Sequence, residues 1–126
     1  MGMYTEIFFR AEVDAEVVAV INTLNDYGKT DWPDHEFFRC PRFRGIAHGG
    51  SYCFPQANHC FVEYDEHVKA FFVSFRANLK NYDDEIEKFF DWVSPHVGGE
   101  PGDFIGYSLY EEAETPTLHY KAVTNA

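Results

Sequence analysis

The chain has 126 residues, of which 21 are Asp or Glu and 10 are Lys or Arg, for a formal charge of −11. That length suits one domain with its own core, and the charge argues against direct nucleic-acid binding, which draws its affinity from cations set against phosphate. Thirteen Phe and eight Tyr predict an aromatic core lined by strands, and no apolar run nears the roughly 18 residues that a membrane span requires.

Residues 4–11, YTEIFFRA, alternate as a strand, with Ile7, Phe9 and Ala11 on one face and Tyr4, Glu6, Phe8 and Arg10 on the other. Asp14 then offers a helix N-cap and Glu16 an acidic first turn. Val17, Val20, Ile21 and Leu24 follow at i, i+3, i+4 and i+7, and Gly28 supplies a stop. Residues 25–42 carry two prolines and many polar groups, which predicts a long connection holding at most a short helical turn. Short strands are expected at 43–48 and 51–54, joined by a two-residue turn at Gly49-Gly50. A second hairpin is expected from 60–64 and 68–79 about Asp65-Glu66.

The second helix has the clearest pattern in the chain. Ile86, Phe89, Phe90, Val93 and Val97 form one stripe, Asn81 can cap it, and Asp83, Asp84 and Glu85 suit the positive end of its dipole. Pro95, Gly98 and Gly99 close it, and two strands, 103–112 and 115–123, finish the chain. The element order predicts a single α+β domain over 3–126: an antiparallel sheet with two amphipathic helices packed on one face. The tripeptide FRA occurs at 9–11 and again at 75–77, each time ahead of a helix, which hints at duplicated strand–helix–strand halves. Met1 and Gly2 read as an addition ahead of a native start at Met3. The odd number of cysteines and the absence of a secretory signal predict a reduced, cytoplasmic protein.

Residues 35–60 concentrate chemistry-bearing side chains. Cys40, Cys53, Cys60, His35, His48 and His59 lack the paired spacing of a structural zinc site, so neither a metal nor a cofactor is expected. Cys40 stands among Arg39, Arg42 and Arg44, which would favour its thiolate, but no nucleophile motif surrounds it. If 41–48 is a strand, Arg42 and Arg44 share a face, and with His48 and Tyr52 they could hold a small anionic ligand such as a nucleotide. Alternatively, these arginines neutralise the protein's own acidic helix ends. The acidic residues fall on turns and helix ends, where solvated charge is expected. On the sheet face away from the helices, Phe8, Arg10, Phe72 and Arg76 form a candidate interaction surface: a stacking platform, a homodimer seam, or a face covered by the 25–42 connection.

Two stretches, NLKNYDDEIEKFFDWVSPHV (78–97) and IGYSLYEEAETPTLHY (105–120), resemble segments of small uncharacterised proteins of phage and bacterial genomes, and MYTEIFFRAEV (3–13) and GGSYCF (49–54) are similar in style. The resemblance implies an accessory protein of phage type with an α+β fold and carries no catalytic residues. With the charge, it leads to the expectation of a non-enzymatic acidic binding protein that modulates a host or phage protein through a basic surface on that partner.

Overall fold

The computed structural model describes residues 3–50 and 58–122. Strand β1 (Thr5–Val13) leads into helix α1 (Ala15–Thr23), and the hairpin of β2 (His59–Asp65) and β3 (Ala70–Leu79) follows the long connection. Helix α2 (Glu85–Val93), β4 (Phe104–Tyr110) and β5 (Thr117–Tyr120) complete the chain. The sheet order is β2-β3-β1-β4-β5, and every neighbouring pair is antiparallel. Through β4 this is the split β-α-β arrangement of ferredoxin-like folds, with β5 added at one edge. The units β1-α1-β2 and β3-α2-β4 are its two halves. The two FRA tripeptides lie side by side on the central strands, with Phe9 opposite Phe75.

Alternation decides the faces. Ile7, Phe9, Val13, Val73, Phe75, Ala77 and Leu79 are buried beneath both helices, while Arg10 and Phe72 are exposed on the far side. The aromatic centre is built from edges against faces. Phe89 of α2 meets Phe9 at 5.2 Å and 88°, and it also contacts Phe37 at 5.5 Å and Phe75 at 5.6 Å. Such pairs add about 0.5–1.5 kcal/mol each beyond the area they bury.

The helix ends follow their sequence cues with adjustments. Asp14 Oδ1 accepts from the Val17 N–H at 3.2 Å, and Val17, Val20, Ile21 and Leu24 are all buried. Helix α1 stops at Thr23, ahead of Gly28, where the Thr23 hydroxyl donates back to the Ala19 carbonyl. At α2, Asn81 Oδ1 accepts from Ile86 N–H at 2.8 Å, and Asp84 takes the left-handed conformation at φ 57°. Gly106, opposite Phe9, leaves room where a Cβ would come within 2.1 Å of the Phe8 carbonyl oxygen and 2.9 Å of the Phe90 ring.

Residues 43–48 are not a strand. Phe43–Gly45 is a turn of 3-10 helix, and Ile46 and Ala47 are buried behind it. Phe43, Ile46 and Ala47 fall at i, i+3 and i+4, a helical spacing that outweighs the apparent alternation. Gly49 accordingly does not turn a hairpin: its N–H bonds the Gly45 carbonyl, and its own carbonyl accepts from Asn78 at the end of β3. The expected strand 51–54, with Tyr52 and Cys53, lies outside the described residues. The 25–42 connection contains a 3-10 helix at Glu36–Arg39 and sends Trp32, Phe37 and Phe38 against Trp92 and Phe43. It therefore packs on the helix side, and among the described residues no segment covers the opposite sheet face. Among the described residues no helix is long and apolar enough to cross a membrane.

Candidate functional site

The two arginines that the sequence places in a common patch are turned to separate internal tasks. Arg44 donates to the carbonyls of Leu24 (3.1 Å), Asp26 (2.9 Å) and Lys29 (3.0 Å), so it closes the C-terminal end of α1. Its guanidinium also lies over the rings of Trp32, Tyr27 and Phe43 at 5.0–5.4 Å. Arg42 pairs with Asp83 at 2.9 Å and with Glu85 at 3.4 Å, and its backbone N–H also bonds Glu85. The Glu85 carboxylate is wholly buried and accepts a further bond from Asp83 N–H. Glu85 is therefore no solvated surface charge, and neither is Glu6, which is buried and accepts from the Tyr107 hydroxyl. Exposed His48 reaches the Ile21 carbonyl at 3.3 Å.

The thiols and imidazoles are likewise dispersed. Cys40 is buried, its Sγ facing the Glu36 and Asp83 carbonyls, and burial pushes its thiol pKa up against the opposite pull of Lys88. By sequence, Arg39, Arg42 and Arg44 would favour the Cys40 thiolate; in the fold, burial works against it. Cys60 is half-buried in β2 and its pKa is raised by burial. His59 bonds Ser74 Oγ at 3.3 Å and stacks on Phe61. His35 and His96 pair with Asp91 (2.8 Å) and Asp14 (2.7 Å). Asp14, Glu16 and His96 present ligand atoms within 4.8 Å of one another, although Asp14 is already engaged as the α1 cap. Ser108 Oγ lies 3.0 Å from His119 Nε2, and the His119 ring lies flat on Phe90 at 4.0 Å and 7°. Burial lowers the His119 pKa. Among the described residues no carboxylate bonds the other His119 nitrogen, and the pairing joins β4 to β5.

The four sheet-face residues do fall on one side of the sheet, opposite the helices. Phe8 stacks on Tyr107 at 5.4 Å and lies opposite Arg76 in register. Arg10 is exposed, with its guanidinium 6.0 Å from the Phe104 ring centre. Sequence reasoning missed the rest of this face: Phe61, Phe104, Leu118 and Tyr120 are all exposed. Their strand alternation could have identified them once the sheet order was known.

A second feature was not anticipated. The start of α2 and the β4–β5 turn border a cleft of about 380 Å³, lined among others by Asn81, Tyr82, Glu87, Tyr110 and Thr117. Glu87 is exposed and held by both Asn81 Nδ2 contacts, at 2.7 and 3.0 Å. Tyr82 and Tyr110 keep exposed rings at the cleft. Desolvation, with Glu112, Glu111 and Tyr82 nearby, raises the Tyr110 pKa. Glu111, Glu112 and Glu114 on the same turn are also exposed, Glu111 and Glu112 close enough to act on Tyr110, and Glu111 accepts from the Tyr4 N–H. Carboxylates beside phenol rings suit a lysine or arginine side chain, which gains an ion pair and a ring face together. Arg42, held over the Tyr82 ring at 5.1 Å, already makes such a contact from within the protein.

Comparison with family models, curated proteins and solved structures gives no match.

Proposed function

We propose that this chain is a non-enzymatic binding protein that modulates a host or phage protein by presenting carboxylates to a basic surface, with the cleft between α2 and the β4–β5 turn receiving a lysine or arginine of that partner. The observation that carries this reading is the sorting of charge. Eighteen of the 21 acidic residues are exposed, whereas only Arg10, Arg39 and Lys69 of the ten basic residues are. Internal bonding withdraws cations such as Arg42 and Arg44, so the outward surface is more acidic than composition alone implies. Such a field steers a basic partner and strengthens encounter at low salt. The phage-type resemblance supplies the class of partner. The alternative, a small anionic ligand held by Arg42, Arg44, His48 and Tyr52, has less support, because the donors of both arginines are directed at the protein's own carboxylates and carbonyls.

The test is capture from bacterial lysate by immobilised protein, run beside a Glu87→Lys/Glu112→Lys variant. A specific protein held at low salt, released as salt rises and not held by the variant supports the reading. Capture that ignores both salt and charge reversal contradicts it, as does the absence of any captured protein.

A further inference from the structure

The sheet face opposite the helices differs in character from the rest of the surface. Its exposed large apolar side chains are Phe61 (61%), Leu118 (48%), Tyr120 (51%), Phe72 (40%) and Phe104 (37%). Cross-strand register places Phe61 beside Ser74 and Phe72 beside Glu63 and Glu12, and the groove they border has a volume of about 440 Å³ with Arg10 at its edge. Charge on this face is nearly balanced. Its strands contribute Glu6, Glu12 and Glu63 against Arg10 and Arg76, while Asp65 is turned into its own hairpin loop to accept from His67 and Val68. On a protein of charge −11, this is the face that a second copy can approach with least repulsion.

We infer that this face is the interface of a homodimer, in which two sheets pack face to face and both acidic helical sides point outward. The available area agrees with that occupant. At about 200 Å² per large side chain, the exposed fractions of the five residues amount to roughly 450–500 Å². A stable interface buries about 800 Å² per partner, of which roughly 57% is apolar, or about 460 Å². The charged groups are self-complementary as well: a two-fold seam sets exposed Arg10 of one copy against Glu12 or Glu63 of the other. A different protein would need its own matching apolar sheet, whereas a second copy supplies one. Half-buried Arg76 has a buried Nε with no hydrogen-bond partner among the described residues, and it lies in the row of Phe8 and Tyr107 that would border the seam.

Sedimentation equilibrium over a range of concentrations and salts tests this. The wild-type chain is expected to reach twice its 14.6 kDa mass, with dimerisation tightening as salt screens the acidic bodies. This salt trend is opposite to that of partner capture, so either proposal can fail alone. Phe61→Glu/Phe72→Glu is expected to weaken the dimer by at least about tenfold, with circular dichroism verifying the fold. Should that variant misfold, Arg10→Glu, at an exposed position, is expected to weaken it by about threefold or more. A chain that stays monomeric to its solubility limit overturns the inference. So does a dimer whose dissociation constant is unchanged by the folded Phe61→Glu/Phe72→Glu variant or, failing that, by Arg10→Glu.

Discussion

Replacing Arg44 by methionine separates an internal strut from a ligand-binding side chain. The guanidinium serves three carbonyls at 2.9–3.1 Å and lies over three rings. Charge-assisted bonds contribute about 1.5–3 kcal/mol each when nothing replaces them. Two of these carbonyls belong to Asp26, which is exposed, and Lys29, which is half-buried, so water recovers most of their value. The Leu24 residue is fully buried, so its carbonyl is the one most exposed to a lasting loss, about 1–3 kcal/mol. With about 1 kcal/mol from the ring contacts, the total is about 3 kcal/mol. Unfolding entropy near 2.1 cal/mol/K per residue turns that into a fall of about 10 °C in Tm. In urea the midpoint falls by about 2 M, for a slope near 1.5 kcal/mol/M. Arg44→Lys retains the charge but cannot fork to three acceptors, and about half the loss is expected. The assay is urea unfolding followed by fluorescence and circular dichroism, with the slope compared across variants. A loss below about 0.5 kcal/mol for Arg44→Met, within the range of ordinary surface changes, refutes the assignment and returns Arg44 to the list of free ligand-binding side chains.

Other consequences follow from the packing and the pKa directions. Gly106→Ala forces a methyl against the Phe8 carbonyl and the Phe90 ring, and a loss of about 1–3 kcal/mol is expected in the same urea assay. Burial lowers the His119 pKa in the folded state. The unfolded chain therefore binds a proton first as pH falls through about 6.5, and stability is lost below that value and retained above it. His119→Gln should flatten this part of the stability profile, whose slope from one group cannot exceed about 1.4 kcal/mol per pH unit. In a Cys53→Ser/Cys60→Ser background, Cys40 should react with a disulfide reagent far more slowly in the folded than in the unfolded state, because it is buried with a raised pKa. Equal rates would contradict that placement.

Much of the fold was legible because its main elements have a single dominant period. Two-residue alternation through Ile7, Phe9, Phe75 and Ala77 fixed the sheet faces, and the Ile86, Phe89, Phe90, Val93 stripe fixed α2. The region around Phe43 was misread because Arg42 and Arg44 bracket an aromatic and mimic alternation, while Phe43, Ile46 and Ala47 obey a helical spacing. Burial of Glu85 could not be read locally. It depends on Arg42, which arrives from 43 residues earlier in the chain. The cleft was invisible for the same reason: Glu87 and Tyr82 meet Tyr110 and Thr117 only through the sheet order. Composition indicated an acidic protein, but only the bonding of the arginines shows how little of the positive charge faces outward.

Carbodiimide footprinting of carboxylates, read by mass spectrometry on the free protein and on its complex with a captured partner, tests the central claim most directly. The account predicts that the partner shields Glu87, Glu112 and neighbouring carboxylates at the α2 cleft, while Glu12 and Glu63 become shielded by raising the concentration of the chain alone. Partner protection confined to Glu12 and Glu63, with Glu87 and Glu112 labelled as in the free protein, would contradict it.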